Sequence, residues 1–290
     1  MKFGVSIFPT HYSAGPAEIA AEAERLGFES FWVSEHSHIP VATEFPFADT
    51  VPDDYRSMFD PFVALAAAAT ATTNIRLGTA ICLITQHDPI NCAKAVATLD
   101  QISGGRFEFG IGAGWNPLEM ENHGVRFEDR FKMTRERMEA MKVFWTSDEA
   151  EYHGDLVNIT KSRMWPKPVQ NPYPPILIAG AGPNILKRVI NQGDGWMPFV
   201  VADWNEAMQN RITPLAKFAD QVGDLRALEA ELDAPRKSIS VKGLMANNRD
   251  IEALLALEVD RMILPLPQAG RDQVFEALEA HANATADYRK

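Results

Sequence analysis

The sequence predicts an α/β fold, a single-domain (β/α)8 TIM barrel with insertions spanning residues 1–290. Three observations carry this. Short apolar strands alternate with helical patterns eight times, which argues a parallel sheet. Eight such units in 290 residues argue a closed barrel, with an open doubly wound sheet as runner-up. Two consecutive strands, the fourth and fifth, run out into glycine-rich turns, Gly110-Ile111-Gly112-Ala113-Gly114 and Gly180-Ala181-Gly182. Glycine is used where backbone must turn sharply or approach a ligand closely.

The elements follow in order. Phe3–Phe8 reads as strand one, ended by Pro9. Pro16–Leu26 spaces Ile19, Ala20, Ala23 and Leu26 as a helix, and Gly27 stops it. Phe28–Val33 is strand two. A long polar, proline-broken loop, Ile39–Met58, follows and is a candidate lid. Asp60-Pro61 and Asp88-Pro89 are N-cap and N1 pairs opening helices to about Ala71 and Leu99, on either side of strand three, Ile75–Ile84. Strand four is Phe107–Ile111, and Glu128–Trp145 is a long helix with Phe131, Met138, Met141 and Phe144 on its apolar face. Tyr152–Ile159 reads as a hairpin arm before a proline-rich extended stretch. Strand five is Ile176–Ala179, with a helix to Asn191, and strand six is Gly195–Phe199. A helix is expected from Asp203 to about Gln221, then a charged extension, Gly223–Ala234. Ser238–Gly243 and Val259–Leu264 are the last strands, each followed by a helix, Asp250–Leu257 and Arg271–Ala282.

Composition narrows the function. Apolar residues make up 46% and charged residues 23%, as in ordinary globular proteins. The net charge of −11 lacks the basic footprint that nucleic acid or an anionic membrane requires. Met1-Lys2-Phe3 enters a strand directly, without a signal h-region, and no apolar run is long enough to span a bilayer. Cys82 and Cys92, the only cysteines, both lie in apolar or helical patterns and suggest a reduced, cytoplasmic chain.

Barrel chemistry sits at the C-terminal strand ends. There the chain carries His11; Glu35, His36 and His38; the two glycine turns; and Trp115 and Phe199. Gly180-Ala181-Gly182-Pro183-Asn184 leads straight into a helix with Pro183 suited to its first turn, and that helix N-terminus suits a phosphate. Histidine suits proton transfer near neutral pH, and His36-Ser37-His38 could also be a metal pair. A metal set needs partners on later strands, and strands five and six supply none, so no metal is expected. Trp32 and Trp196, on strands two and six, are expected to fill the barrel interior.

These residues resemble a family. Ala23-Glu24-Arg25-Leu26-Gly27-Phe28-Glu29-Ser30-Phe31-Trp32, Ser34-Glu35-His36, Asp60-Pro61, Ile75-Arg76-Leu77-Gly78-Thr79-Ala80, Leu99-Asp100-Gln101-Ile102-Ser103-Gly104-Gly105-Arg106, Gly110–Trp115, Pro166–Gln170 and Gly193-Asp194-Gly195-Trp196 recur in order across about residues 3–200. Together they resemble the luciferase-like monooxygenase superfamily, in its F420-dependent oxidoreductase branch.

The resemblance implies a deazaflavin or flavin at the strand ends. Its phosphate would rest on Gly112, Ala113, Gly114, Gly180, Ala181 and Gly182, and a non-proline cis peptide at Ala80–Ile81 would back its ring. His36 matches the base of the F420 sugar-phosphate dehydrogenases, with Glu35 beside it as an orienting residue or cofactor contact. Trp115 stands where those enzymes carry a glutamate acid, which points to a more apolar substrate pocket with His11, Trp115 and Phe199 about it. The expected function is therefore an F420-dependent oxidoreductase acting on a small, fairly apolar molecule. The alternatives are an FMN monooxygenase using dioxygen and a flavin-binding protein without turnover. Family barrels are often dimers, so a homodimer is an expectation too.

Overall fold

A computed structural model describes residues 1–46, 48–202 and 213–289. The strands, in chain order, are β1 (Lys2–Ile7), β2 (Ser30–Val33), β3 (Arg76–Thr79), β4 (Cys82–Leu83) and β5 (Phe107–Gly112). A hairpin follows, β6 (Ala150–His153) and β7 (Asn158–Ser162). Then come β8 (Ile176–Ala179), β9 (Gly195–Met197), the short β10 (Val200–Val201) and β11 (Thr213–Pro214), β12 (Ser238–Lys242) and β13 (Arg261–Pro265). The parallel order β3-β2-β1-β13-β12-β9-β8-β5-β4 closes on itself, because β3 also pairs with β5, with Leu77 opposite Phe107. Barrel strand three is thus β3 and β4 together, with the cis Ala80–Ile81 peptide between them. The expected eight-stranded barrel is present; only its third strand, expected to be continuous over Ile75–Ile84, is divided.

The helices are α1 (Pro16–Arg25), α2 (Asp53–Arg56), α3 (Pro61–Thr70), α4 (Pro89–Ile102), α5 (Pro117–Asn122), α6 (Arg130–Thr146), α7 (Ile185–Gln192), α8 (Leu215–Glu231), α9 (Asn248–Ala256) and α10 (Arg271–Thr285). Asp60 and Asp88 cap α3 and α4 as predicted, the Asp60 carboxylate accepting from Val63 N at 2.9 Å. The helix start at Asp203 lies outside the described residues, and three other points differ from expectation. The supposed extension after Gly223 is helical, because Val222, Leu225 and Glu229 of α8 are buried and hold it to the barrel. Phe131 is exposed on α6 instead of joining Met138, Met141 and Phe144 in the core. α7 begins at Ile185 with Asn184 as N-cap, so Pro183 precedes the helix.

The core has two compartments. Most buried side chains pack between strands and helices. A smaller set, including Trp32, Leu177, Met197 and Ile263, fills the barrel interior. Trp32 fits there because Gly78 faces it: a Cβ on Gly78 would lie 2.2 Å from the indole. Trp196 does not fill the interior as expected. Alternation along β9 sends Met197 inward and Trp196 outward, where its ring lies 5.6 Å from Phe218 of α8.

Arg261 closes the N-terminal end of the barrel. Its guanidinium donates to Glu108 at 2.8 and 2.9 Å and to Glu29 at 2.8 Å twice. Arg76 adds a further bond to Glu108. Among the described residues no helix is long and apolar enough to cross a membrane.

Candidate active site

A cavity of about 810 Å³ opens at the C-terminal ends of the strands. Its floor is the interior layer, reached at Ala80, Ile81 and Met197. On one side β5 runs into Gly112-Ala113-Gly114, and beside it β8 runs into Gly180-Ala181. Gly112 lets the Ile81 side chain lie close, since a Cβ there would fall 2.1 Å from Ile81 Cδ1 and displace that methyl. Gly114 has φ +81°, a conformation side chains disfavour. Two anchors hold these turns: Thr85 Oγ1 donates to Ala113 O at 3.1 Å, and Trp196 Nε1 to Gly180 O at 3.2 Å.

His36 stands in the cavity wall just past β2, and it is buried. Its Nδ1 lies 2.8 Å from Glu119 Oε2, and Trp115 Nε1 donates to its Nε2 at 3.1 Å. An indole N–H can only donate, so Nε2 is an acceptor here and Nδ1 carries the proton. Phe45 and Tyr55, from the loop after β2, complete an aromatic box. Tyr55 lies 5.2 Å from His36 between ring centroids, and Phe45 lies 5.6 Å from Trp115.

Glu35 turns away from this box. Its Oε2 accepts from Leu83 N at 2.6 Å, just past the cis peptide, and its Oε1 lies 2.6 Å from His87 Nε2. Burial alone would lower the His87 pKa, but the hydrogen bond and charge of Glu35 outweigh it and hold it at about 9. The Cys82 thiol completes a group whose ligand atoms lie within 4.8 Å of one another. Both Glu35 oxygens are engaged within this group, by Leu83 N and His87 Nε2.

Lys242, at the end of β12, reaches across to donate to Ala80 O at 2.6 Å and Ser34 Oγ at 3.3 Å. Ser34 Oγ donates to the same carbonyl at 2.8 Å. Burial pulls the Lys242 pKa down to about 8. At the outer wall Arg188 stacks on Phe131 at 3.7 Å, and Arg130 stacks on Phe127 at 3.8 Å and on Phe131 at 4.4 Å. Burial and the nearby Arg130 charge both lower the Arg188 pKa.

The site can therefore offer a proton acceptor inside an aromatic box, backbone turns open to an anion, and two guanidinium groups at the rim. A family model described as luciferase-like monooxygenase matches residues 1–286. The chain belongs to the luciferase-like monooxygenase family. It is an oxidoreductase of that type. It is 43% identical over 203 residues to an uncharacterized protein of Mycobacterium tuberculosis, covering 68% of this chain and 72% of the relative. It is 28% identical over 255 residues to the F420-dependent glucose-6-phosphate dehydrogenase of Amycolatopsis mediterranei, covering 86% of this chain and 69% of that one. Among solved structures, the monooxygenase RslO1 of Streptomyces bottropensis has the same fold, with a TM-score of 0.78 at 20% identity and full coverage of both chains.

Within this luciferase-like barrel the residues singled out in the sequence fall into two groups. His36, Glu35, Ala80, Ile81, Gly112, Ala113, Gly114, Gly180, Ala181, Trp115 and Phe199 all border the one cavity. Gly182 and His11 do not border it; Gly182 lies one residue beyond the turn, and His11 is exposed, edge-on to Tyr12. Sequence reasoning missed Glu119, Lys242, Tyr55 and the arginine pair. Glu119 had a readable signal, because Asn116-Pro117 repeats the cap pattern of Asp60-Pro61 and the Asn116 side chain caps α5. Lys242 had one too, as a charged residue at the active end of a barrel strand.

Proposed function

We propose that this barrel is an F420-dependent oxidoreductase that moves a hydride between the deazaflavin and a small, fairly apolar organic substrate. One observation carries the reading: His36, whose Nε2 accepts from Trp115 Nε1, borders an aromatic-walled cavity that also presents two glycine turns on adjacent strands. A hydride donor that is an alcohol must also lose a proton, and His36 supplies the acceptor. The 28% identity to an F420-dependent dehydrogenase over 86% of this chain supports the choice of cofactor.

The residues fit such a cofactor. The cavity volume suits a tricyclic ring with substrate above it. Ala80 and Ile81 would back the ring. Gly112, Ala113, Gly114, Gly180 and Ala181 would receive the phosphate, with Gly182 behind them, and Arg130 and Arg188 would neutralise its charge. When bound, the deazaflavin would supply hydride transfer at its C5. Trp115, Phe199 and the box aromatics would exclude water and favour apolar substrates. Glu35 shapes the floor by holding Leu83 and His87, and Lys242 and Ser34 hold the Ala80 carbonyl.

The domain is taken as residues 1–290, the location as cytoplasmic, and the assembly as a homodimer. Light scattering on the purified protein tests the last of these. The function is tested by titrating the protein with F420 and with FMN while following tryptophan fluorescence. F420 should bind the tighter. Tight binding of FMN alone would replace this reading with the monooxygenase that uses dioxygen. With a working substrate, His36→Ala should lower kcat by roughly 10²–10⁴-fold; unchanged turnover would remove His36 from the chemistry.

A further inference from the structure

Glu119 belongs to no part of the cofactor cradle, yet it is wholly buried. It lies in the first turn of α5, a helix placed by the Asn116 cap, and Asn116 Nδ2 in turn donates to Thr43 Oγ1 at 3.0 Å. Glu119 Oε2 meets His36 Nδ1, whereas Oε1 has no hydrogen-bond partner among the described residues. A half-satisfied buried carboxylate is costly, and structural carboxylates generally fill their acceptor sites. Its one side-chain partner is an imidazole whose opposite nitrogen is an acceptor for Trp115.

We infer that Glu119 is a positioning residue that holds His36 as its Nδ1-protonated tautomer, leaving Nε2 as the proton acceptor on the cavity side. This rests on the oxidoreductase reading for its purpose but not for its test. In that reaction a substrate O–H would take the place of Trp115 N–H at the single Nε2 lone pair and pass its proton there as a C=O bond forms, and the hydride-accepting chemistry is what a bound deazaflavin would supply. The imidazolium so produced is held by the Glu119 carboxylate. Trp115 acts in the opposite sense: its N–H bonds the Nε2 lone pair and favours the neutral ring.

Other groups around His36 have settled charges near neutral pH. Tyr55, against the ring, is pushed up to about 12 by burial and stays neutral. Across a smaller adjoining cavity, His87 is cationic and paired with Glu35, and burial pulls His123 down. Asp60, also on that cavity, is engaged as the α3 cap. On the main cavity Lys242, Arg130 and Arg188 are the cations present, of which Lys242 titrates nearest, at about 8.

The test is imidazole nitrogen NMR on the full chain labelled with [15N]histidine, without cofactor or substrate, with His36→Asn to assign the signal. Above its titration midpoint, wild-type His36 should show the Nδ1–H tautomer. In Glu119→Gln the midpoint should fall by about one pH unit or more, because an anionic neighbour is lost. In Trp115→Phe it should rise, because the bond to the neutral form is lost. A wild-type Nε2–H tautomer, or a Glu119→Gln midpoint within about 0.3 pH unit of wild type, would overturn the inference. If Glu119→Gln does not fold, the tautomer in Trp115→Phe decides: with the indole gone, a retained Nδ1–H tautomer supports Glu119 as the residue that holds it, and an Nε2–H tautomer overturns the inference. Failure of F420 binding would leave these signals as they are, so the two readings fail separately.

Discussion

His87 shows how one side chain gains a role from its neighbours. A histidine in a βα turn is unremarkable in sequence, but Glu35 holds this one at a pKa of about 9 against an ordinary value near 6.5. The folded state therefore binds a proton that the unfolded state releases earlier. The stabilisation is complete below about pH 6.5 and disappears as pH rises through 9. At pH 7 it amounts to roughly 2–3 kcal/mol, since a tenfold difference in proton affinity is worth about 1.4 kcal/mol. Urea unfolding of wild type and His87→Gln at pH 7 and pH 10 checks this. The two proteins should differ by that amount at pH 7 more than at pH 10.

At the scale of elements, the 39–58 loop is the segment whose sequence is most nearly silent. Its length and its prolines suggest a lid, but nothing in it announces the one-turn helix α2. That turn matters because it sets Tyr55 against His36, while Phe45 spans Tyr55 and Trp115 with centroids at 5.0 and 5.6 Å. Tyr55→Ala opens the box without touching the barrel core. With an apolar substrate it should raise KM roughly tenfold, as expected for the loss of about 1.4 kcal/mol of aromatic contact, and leave thermal unfolding nearly unchanged. Steady-state kinetics with a melting curve checks both. α5 is hidden for a different reason: at six residues it is too short to show a helical period, and only its cap betrays it.

Across the whole molecule, the two ends of the barrel do different work. The active end is open and apolar. The other is closed by Arg261 between Glu29 and Glu108, with Arg76 adding to Glu108. This network joins strands β3, β5 and β13 to the start of β2 and helps hold the ring closed. Arg261→Met would leave the buried Glu108 with a single cation. It should cost roughly 3–5 kcal/mol of stability, the range for breaking a buried ion pair. Urea unfolding measures it, and cofactor titration of the same variant should change little because the plug lies at the far end.

The sequence by itself determined the barrel and its eight units. Those features are written in local patterns: alternation of strand and helix, Asp-Pro caps, and glycines where strands stop. It also placed His36, Trp115 and the two glycine turns at strand ends, where they border one cavity, because strand ends are local landmarks. The tertiary structure alone decided which way strand residues face and who meets whom. A period of two says that Trp196 and Met197 oppose each other, but barrel closure chooses Met197 for the interior. His36 meets Glu119 across 83 residues, and Lys242 meets Ser34 across 208. Contacts of that separation are set by the curvature of the closed sheet and the path of its loops, and neither is encoded in any short stretch of chain.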